Sequence, residues 1–277
     1  MTLGKLTDLP ASAYHDAQAI SHSRLEAFRR RPALYKRRFV DGIKREPWEA
    51  HKFRIGSALH AAAEGVDAFT RTVSVNSAFQ DFRAKAAQQW RDDVYALGKT
   101  AALLSDEAEC VVQMLNALQG HPVLGPLFSH AQSEVTWRAS HPRIPVPLQC
   151  RTDLFVGDGT VIDLKTCASL DEGDYANFQR SYWKFGYHRQ AAFYREILRL
   201  CGVTMKEFLF AAVEDDEPFG VDVYRVSEDD LRVGDEENGA DLANLIECYR
   251  SGTWPNRPTE VREISLPDEY VRRHDVA

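Results

Sequence analysis

The chain has 277 residues, of which 44% are hydrophobic and 27% charged, and its formal net charge is −7. That composition is the one expected of a globular protein with a substantial core, and the net acidic charge by itself disfavours a generic polyanion binder. No apolar run approaches the roughly 20 residues needed to span a bilayer, the first residues lack the apolar core of a signal peptide, and the five cysteines are scattered with no C-x-x-C spacing, which argues against a zinc site, an iron–sulfur cluster or a disulfide framework. The expected location is the cytoplasm, with no membrane partner.

The charge is unevenly distributed. Arg24 to Arg54 holds eleven Lys/Arg against four Asp/Glu, whereas Glu214 to Asp241 holds twelve acidic residues against two arginines. A local basic surface can bind phosphate even on an acidic protein. The Arg29–Arg31 and Lys36–Arg38 clusters form a solvated basic face or a phosphate-binding surface.

In chain order, Ser21 or Ser23 is a plausible N-cap for the helix RLEAFRRR, with Leu25 and Phe28 on its apolar face. Pro32 ends that helix and opens the next, which Gly42 closes. Residues 43–50 read as a loop. Lys52 to Glu64 is an alanine-rich helix with Gly56 and His60 one turn apart, and Gly65 is its C-cap. Residues 66–76 are ambiguous. Ala78 to Ala96 reads as a partly exposed helix. Ser105 to Gly120 forms another, with Asp106 and Glu107 in its first turn, and 121–130 is a short helix or turn.

The pattern then changes from helical to extended. Ser133 to Ser140 alternates as a strand, with Val135 and Trp137 on one side and Glu134 and Thr136 on the other. Leu148–Val156 and Thr160–Thr166 are strands joined by Gly157-Asp158-Gly159, a hairpin signal. Asp171 to Arg180 reads as a short polar helix, Gly186 to Leu200 as an amphipathic one. Glu207–Val213 and Gly220–Val226 are strands joined by an acidic turn, and Ser227 to Arg250 runs into a final helix. The fold class expected is α/β: one domain over 1–277, with a mainly helical part (1–130), a central mixed sheet flanked by helices (131–226), and a C-terminal helix and tail (227–277).

The hairpin carries the chemistry. With a three-residue loop Val156 faces Thr160, and counting outward places Asp153 opposite Asp163, with Lys165 on the same side as Asp163. Facing carboxylates repel each other, so a sheet does not pair them for stability. A divalent cation would remove the repulsion, since hard cations take carboxylate oxygens. A lysine beside it can orient or deprotonate water, or neutralise a transition state. The competing reading is a cross-strand salt bridge.

The string D-x9-D-x-K resembles the core of PD-(D/E)XK nucleases. G-x-x-x-H at Gly56–His60 ahead of it and Q-x-x-x-Y at Gln190–Tyr194 behind it match the RecB/lambda-exonuclease-like branch of that superfamily. Across nearly the whole length the chain resembles the RecE family, of the exodeoxyribonuclease VIII type. The elements that carry the match are YHDAQAISHSRLEAFRRRPALYKRRFVDG, FRIGSALHAAAEG, CRTDLF, VIDLKT, WKFGYHRQAAFYREIL and SGTWPNRP…LPDEY.

The resemblance implies a phage or prophage Mg²⁺-dependent exonuclease, with Mn²⁺ able to substitute, that degrades one strand of linear duplex DNA from its 5′ end. It implies His60, Asp153, Asp163 and the Leu164 carbonyl as metal ligands and Lys165 as the catalytic lysine. Gln190 and Tyr194 would support the site or hold DNA near it. Glu134 stands where relatives often carry an acidic residue and is a supporting candidate rather than a ligand. Double-stranded DNA ends, a homo-oligomeric ring and a single-strand annealing protein for recombination are the implied partners. The ISHS segment resembles the I-T-A-S-like segment of lambda-type exonucleases, which makes Ser23 a phosphate-binding candidate with a plain N-cap as the alternative. Arg24 and Arg151 are similar candidates, with surface or structural arginine as the alternative. The rival functions are a nuclease of different polarity, an endonuclease of the CRISPR-adaptation type, and a non-catalytic DNA-end-binding protein on a decayed nuclease fold.

Overall fold

The hairpin lies in the middle of the molecule's main sheet. The computed structural model describes residues 2–7, 9–43, 53–171, 173–174, 177–257, 260–261 and 263–265. Among them the sheet has six strands in the order β1 (Gly4–Leu6), β4 (Ala131–Ala139), β5 (Leu148–Val156), β6 (Thr160–Cys167), β7 (Glu207–Glu214) and β8 (Val221–Arg225). Only the β6–β7 pair is parallel; the other four pairs are antiparallel. The parallel pair needs a crossover, and α9 (Phe178–Phe185) with α10 (Tyr187–Leu200) supplies it. A second, two-stranded parallel sheet joins β2 (Val73–Asn76) to β3 (Ala101–Leu104). The expectation of a mixed sheet flanked by helices holds.

Both faces of the main sheet are covered, which is why its central strands are apolar nearly throughout. On one face α10, α2 (His22–Arg30) and α11 (Glu228–Ser251) pack Leu25, Phe28, Phe193, Ile197 and Leu245 against Phe155, Val161, Phe208 and Phe210. On the other, α4 (Arg54–Glu64) and α7 (Ser105–Gly120) pack Leu59, Val111 and Met114 against Leu154, Ile162, Leu164 and Leu209. The shorter helices are α1 (Ala11–Asp16), α3 (Pro32–Tyr35), α5 (Val66–Thr72), α6 (Lys85–Ala96) and α8 (Leu124–Phe128).

Ser21 is the N-cap of α2, its hydroxyl accepting from the Arg24 N–H at 3.4 Å. Pro32 opens α3, which passes into a π-helical turn at Lys36–Val40. The tail folds back so that Trp254 stacks on Tyr35, ring centroids 5.9 Å apart. The loop read at 43–50 falls, from residue 44 on, outside the described residues.

Two expected helices are shorter or displaced. The one read from Ala78 begins only at Lys85. Before it, the Asn76 and Asp81 side chains accept from the N–H groups two residues on, Ala78 and Arg83, each at 2.8 Å. These Asx turns compete with helix formation. The helix read over 171–180 begins at Phe178, because Asn177 is its cap, accepting from the Arg180 N–H at 2.9 Å. The ambiguous 66–76 resolves into α5 followed by β2.

Candidate active site

The β5–β6 ladder stops where the carboxylates begin. Phe155 pairs with Val161 and Leu154 with Ile162. The next position in that register sets Asp153 against Asp163. There the Leu164 N–H donates not to a strand carbonyl but to Asp153 Oδ2, at 2.7 Å. The side chain satisfies a donor that the parting strands would otherwise leave without a partner.

Asp153 is also approached from α4. His60 Nδ1 lies 3.3 Å from Asp153 Oδ1 and 4.0 Å from Glu134 Oε1. His60, Glu134 and Asp153 each offer one ligand atom, all within 4.8 Å of one another. Glu134 reaches this cluster through its backbone. It lies between the pairs Ser133–Leu154 and Val135–Thr152 with φ of 51°, a left-handed conformation that costs a non-glycine residue about 1–3 kcal/mol and tends to mark functional positions.

Asp163 stands beside this group, almost fully buried. One oxygen accepts from Lys165 Nζ, the other from Gln190 Nε2 at 2.5 Å. Gln190 also reaches Tyr194 Oη, at 3.5 Å. The Q-x-x-x-Y pair on α10 therefore holds Asp163 from the helical side. The Lys165 ammonium lies 4.9 Å from the Tyr187 ring centroid and 5.6 Å from that of Phe210.

The electrostatics follow from crowding like charges in a buried place. Burial and the Asp153 carboxylate push Glu134 up to about 7. Burial, then Asp153, raises Asp163 to about 6 against the pull of Lys165. For His60, burial favours the neutral ring, but the Asp153 and Glu134 carboxylates outweigh it and lift the pKa to about 9. Burial works against the charged Lys165 as well, and Asp163 with Asp153 more than compensates, so its ammonium stays protonated at neutral pH. Such displaced groups in one cleft are the usual mark of a chemical site. A cavity of about 470 Å³ opens onto His60 and Glu134, with Phe53, Ser57 and Thr166 among its other walls.

The remaining candidates are placed differently. Arg151 joins the edge of the cluster: it donates to Thr136 Oγ1 at 2.9 Å, to Glu134 Oε2 at 3.4 Å and to the Leu9 carbonyl at 2.7 Å. Arg24 lies outside it, donating to the carbonyls of His15, Ala17 and Ala19 at 2.6–2.7 Å. Ser23 is exposed in the first turn of α2, 3.0 Å from the Ser21 hydroxyl. Leu164, whose carbonyl the resemblance makes a ligand, sits between Asp163 and Lys165, its N–H engaged as above.

A family model describing a PDDEXK-like domain of unknown function (DUF3799) matches residues 21–265. The chain belongs to that family. All the candidate residues named above fall within the matched range. Among solved structures, the chain is similar to a candidate exonuclease of Eubacterium rectale, at 15% identity and a TM-score of 0.65, with 96% of this chain and 98% of that one covered. An alkaline exonuclease of Laribacter hongkongensis aligns at 16% identity over 74% of this chain and 97% of that one, with a TM-score of only 0.27. No curated protein matches the sequence. The first of these likenesses is one of fold; the residues that fill this PDDEXK-like fold carry the chemical argument.

Two neighbours of the site escaped the sequence reading. Tyr187 covers the Lys165 ammonium, and its signal was its place three residues before Gln190, on one helix face. His22, in the ISHS segment, has its Nε2 buried with no hydrogen-bond partner among the described residues. Burial, then Arg189, Lys165 and His188, lower its pKa to about 3. A histidine free to titrate in the unfolded chain near pH 6.5 but held neutral in the fold contributes stability that is intact above about 6.5 and lost as the pH falls toward 3, by up to ~1.4 kcal/mol per unit. The drop in melting temperature between pH 7 and pH 5 is therefore expected to be smaller in His22→Asn than in the unaltered protein; equal drops would contradict the assignment.

Proposed function

We propose that this chain is a divalent-metal-dependent exodeoxyribonuclease, a phosphodiester hydrolase that degrades linear duplex DNA in the 5′ to 3′ direction, with residues 1–277 acting as one catalytic unit. The observation that carries it is the convergence of His60, Glu134 and Asp153 within one ion's reach, beside the Asp163–Lys165 pair. The carboxylate oxygens fit a hard cation, and the one imidazole nitrogen is a borderline donor beside them; the carboxylates are crowded so that they repel one another unless positive charge lies between them. His60, Asp153 and Glu134 would hold it, with Asp163 and the Leu164 carbonyl completing the set. Mg²⁺ is the expected ion, with Mn²⁺ as a substitute. When bound, such a cation supplies positive charge against a phosphate and acidifies water.

The chain's own residues have distinct parts in this. Lys165, held protonated and fixed over two rings, offers a cation and N–H donors to a phosphate oxygen or to the attacking water, where charge develops. Gln190 orients Asp163, and Tyr194 supports Gln190. Arg151, on β5, ties Glu134 to Thr136 and to the N-terminal segment at Leu9. Ser23, exposed at the start of α2, is the candidate for the terminal phosphate. Arg24, bound to three carbonyls, fits best as the structural arginine that shapes that end of α2.

The polarity, the duplex substrate, a ring assembly and an annealing partner in phage-type recombination rest on the RecE resemblance. A linear duplex labelled at the 5′ or the 3′ terminus, with a closed circle alongside, tests the activity, its polarity and its need for a duplex end together. Early release of the 5′ label with the circle intact is expected. Early release of the 3′ label reverses the polarity, cutting of the circle makes the protein an endonuclease, and binding without cleavage makes it a non-catalytic end binder.

A further inference from the structure

A cavity of about 580 Å³ lies between α9 and the β7–β8 edge. Five rings line it, Phe178, Tyr182, Trp183, Phe210 and Tyr224, among polar walls that include Arg180 and Arg225. Phe178 stacks on Tyr224 with centroids 5.0 Å apart, and Tyr182 meets Phe210 edge-on at 5.9 Å. Phe178 and Phe210 are buried, as rings in a core should be. Trp183 is not: it is 66% exposed, on an eight-residue helix whose other face supplies the core. The same helix carries Arg180 and Lys184. Asp230, also on the wall, accepts from the Tyr182 hydroxyl at 2.6 Å.

A single buried ring separates the cavity from the Lys165 side of the candidate active site. Phe210 belongs to both, since the Lys165 ammonium lies over the same ring. Its volume is that of a small-molecule pocket, about 300–1,000 Å³, and so suits a single nucleoside. Rings that present a face stack any base, whatever the sequence. We propose that this cleft binds an unpaired nucleobase of the DNA strand engaged at Lys165, with Trp183 as the stacking platform at its mouth. The proposal rests on the nuclease reading above and extends it: the strand is held beside the catalytic lysine by a base drawn out of the duplex, in addition to any contact with its phosphates.

The test uses the full chain and a fluorescein-labelled, 5′-phosphorylated oligothymidylate in Ca²⁺, with the oligonucleotide checked for cleavage on a gel. Anisotropy is expected to show Trp183→Ala binding at least about fivefold more weakly than the unaltered protein, and Trp183→Phe within about twofold of it. Hydrolysis of bis-p-nitrophenyl phosphate, too small to reach the cleft and the site together, is expected to be unchanged in both variants. Equal affinities of Trp183→Ala and the unaltered chain would overturn the proposal, as would no binding by the unaltered chain. So would an oligomer that Trp183→Ala dissociates in sedimentation, which would make this face a contact between copies. If the unaltered chain hydrolyses neither DNA nor the small diester but binds the oligonucleotide through Trp183, the nuclease reading fails and the cleft stands.

Discussion

Lys165→Met is expected to lower the hydrolysis of duplex DNA by about 10²- to 10³-fold, the scale of removing a preorganised group that meets developing charge. Methionine keeps the unbranched stem between the Tyr187 and Phe210 rings and removes only the ammonium. The fold should survive. Deleting one partner of a buried ion pair costs about 3–5 kcal/mol when the other is left charged, but Asp163 has an alternative. Burial and Asp153 already hold its pKa near 6, and without Lys165 it can take up a proton. The check is a single-turnover assay beside a thermal melt: activity within tenfold of the unaltered protein would remove Lys165 from the chemistry, and a collapsed melt would make its part structural.

The second large effect is on stability. Gly159 closes the hairpin with φ of 96°, and a Cβ there would lie 2.4 Å from the Thr204 carbonyl oxygen and 3.1 Å from the Lys206 nitrogen. Both atoms are backbone and cannot swing aside. The Gly159 carbonyl in turn accepts from the Lys206 N–H at 3.0 Å, which joins the turn to the start of β7. Gly159→Ala combines a forbidden backbone conformation with a backbone clash, and is expected to cost about 3 kcal/mol or more. Gly157→Ala, two residues away, meets nothing within 4 Å and serves as the control. Chemical denaturation of the two variants checks this; equal midpoints would contradict the turn geometry.

How much of this was legible depended on how local each signal is. The hairpin could be read in full, because a glycine-flanked turn between two apolar runs sets the register, and the register alone sets Asp153 against Asp163. The long helices were legible for the same reason: Ser105–Gly120 and the helix at Gln190 carry their own period. His60 is different. Nothing on its helix says that it meets Asp153 more than ninety positions later; only the order of motifs suggested it, and only packing brings the two to 3.3 Å. Glu134 was legible as an acid on a strand but not as a member of the donor cluster, because its left-handed backbone breaks the alternation from which a strand is read. The Asx turns before α6 and the Asn177 cap were overlooked where alanine, glutamine and acidic residues read as helix. Arg24 was open between a phosphate ligand and a structural arginine, because the three carbonyls it serves become its neighbours only in the fold.

The central claim is that His60, Glu134, Asp153, Asp163 and Lys165 together hydrolyse phosphodiester bonds in DNA with a divalent cation. Release of acid-soluble nucleotides from a linear, 5′-phosphorylated duplex tests it most directly, measured in Mg²⁺, in EDTA, and with Asp163→Asn in Mg²⁺. The account predicts steady release in the first case and none above background in the other two. No release by the unaltered protein in Mg²⁺ or Mn²⁺, or equal release by Asp163→Asn, would contradict it.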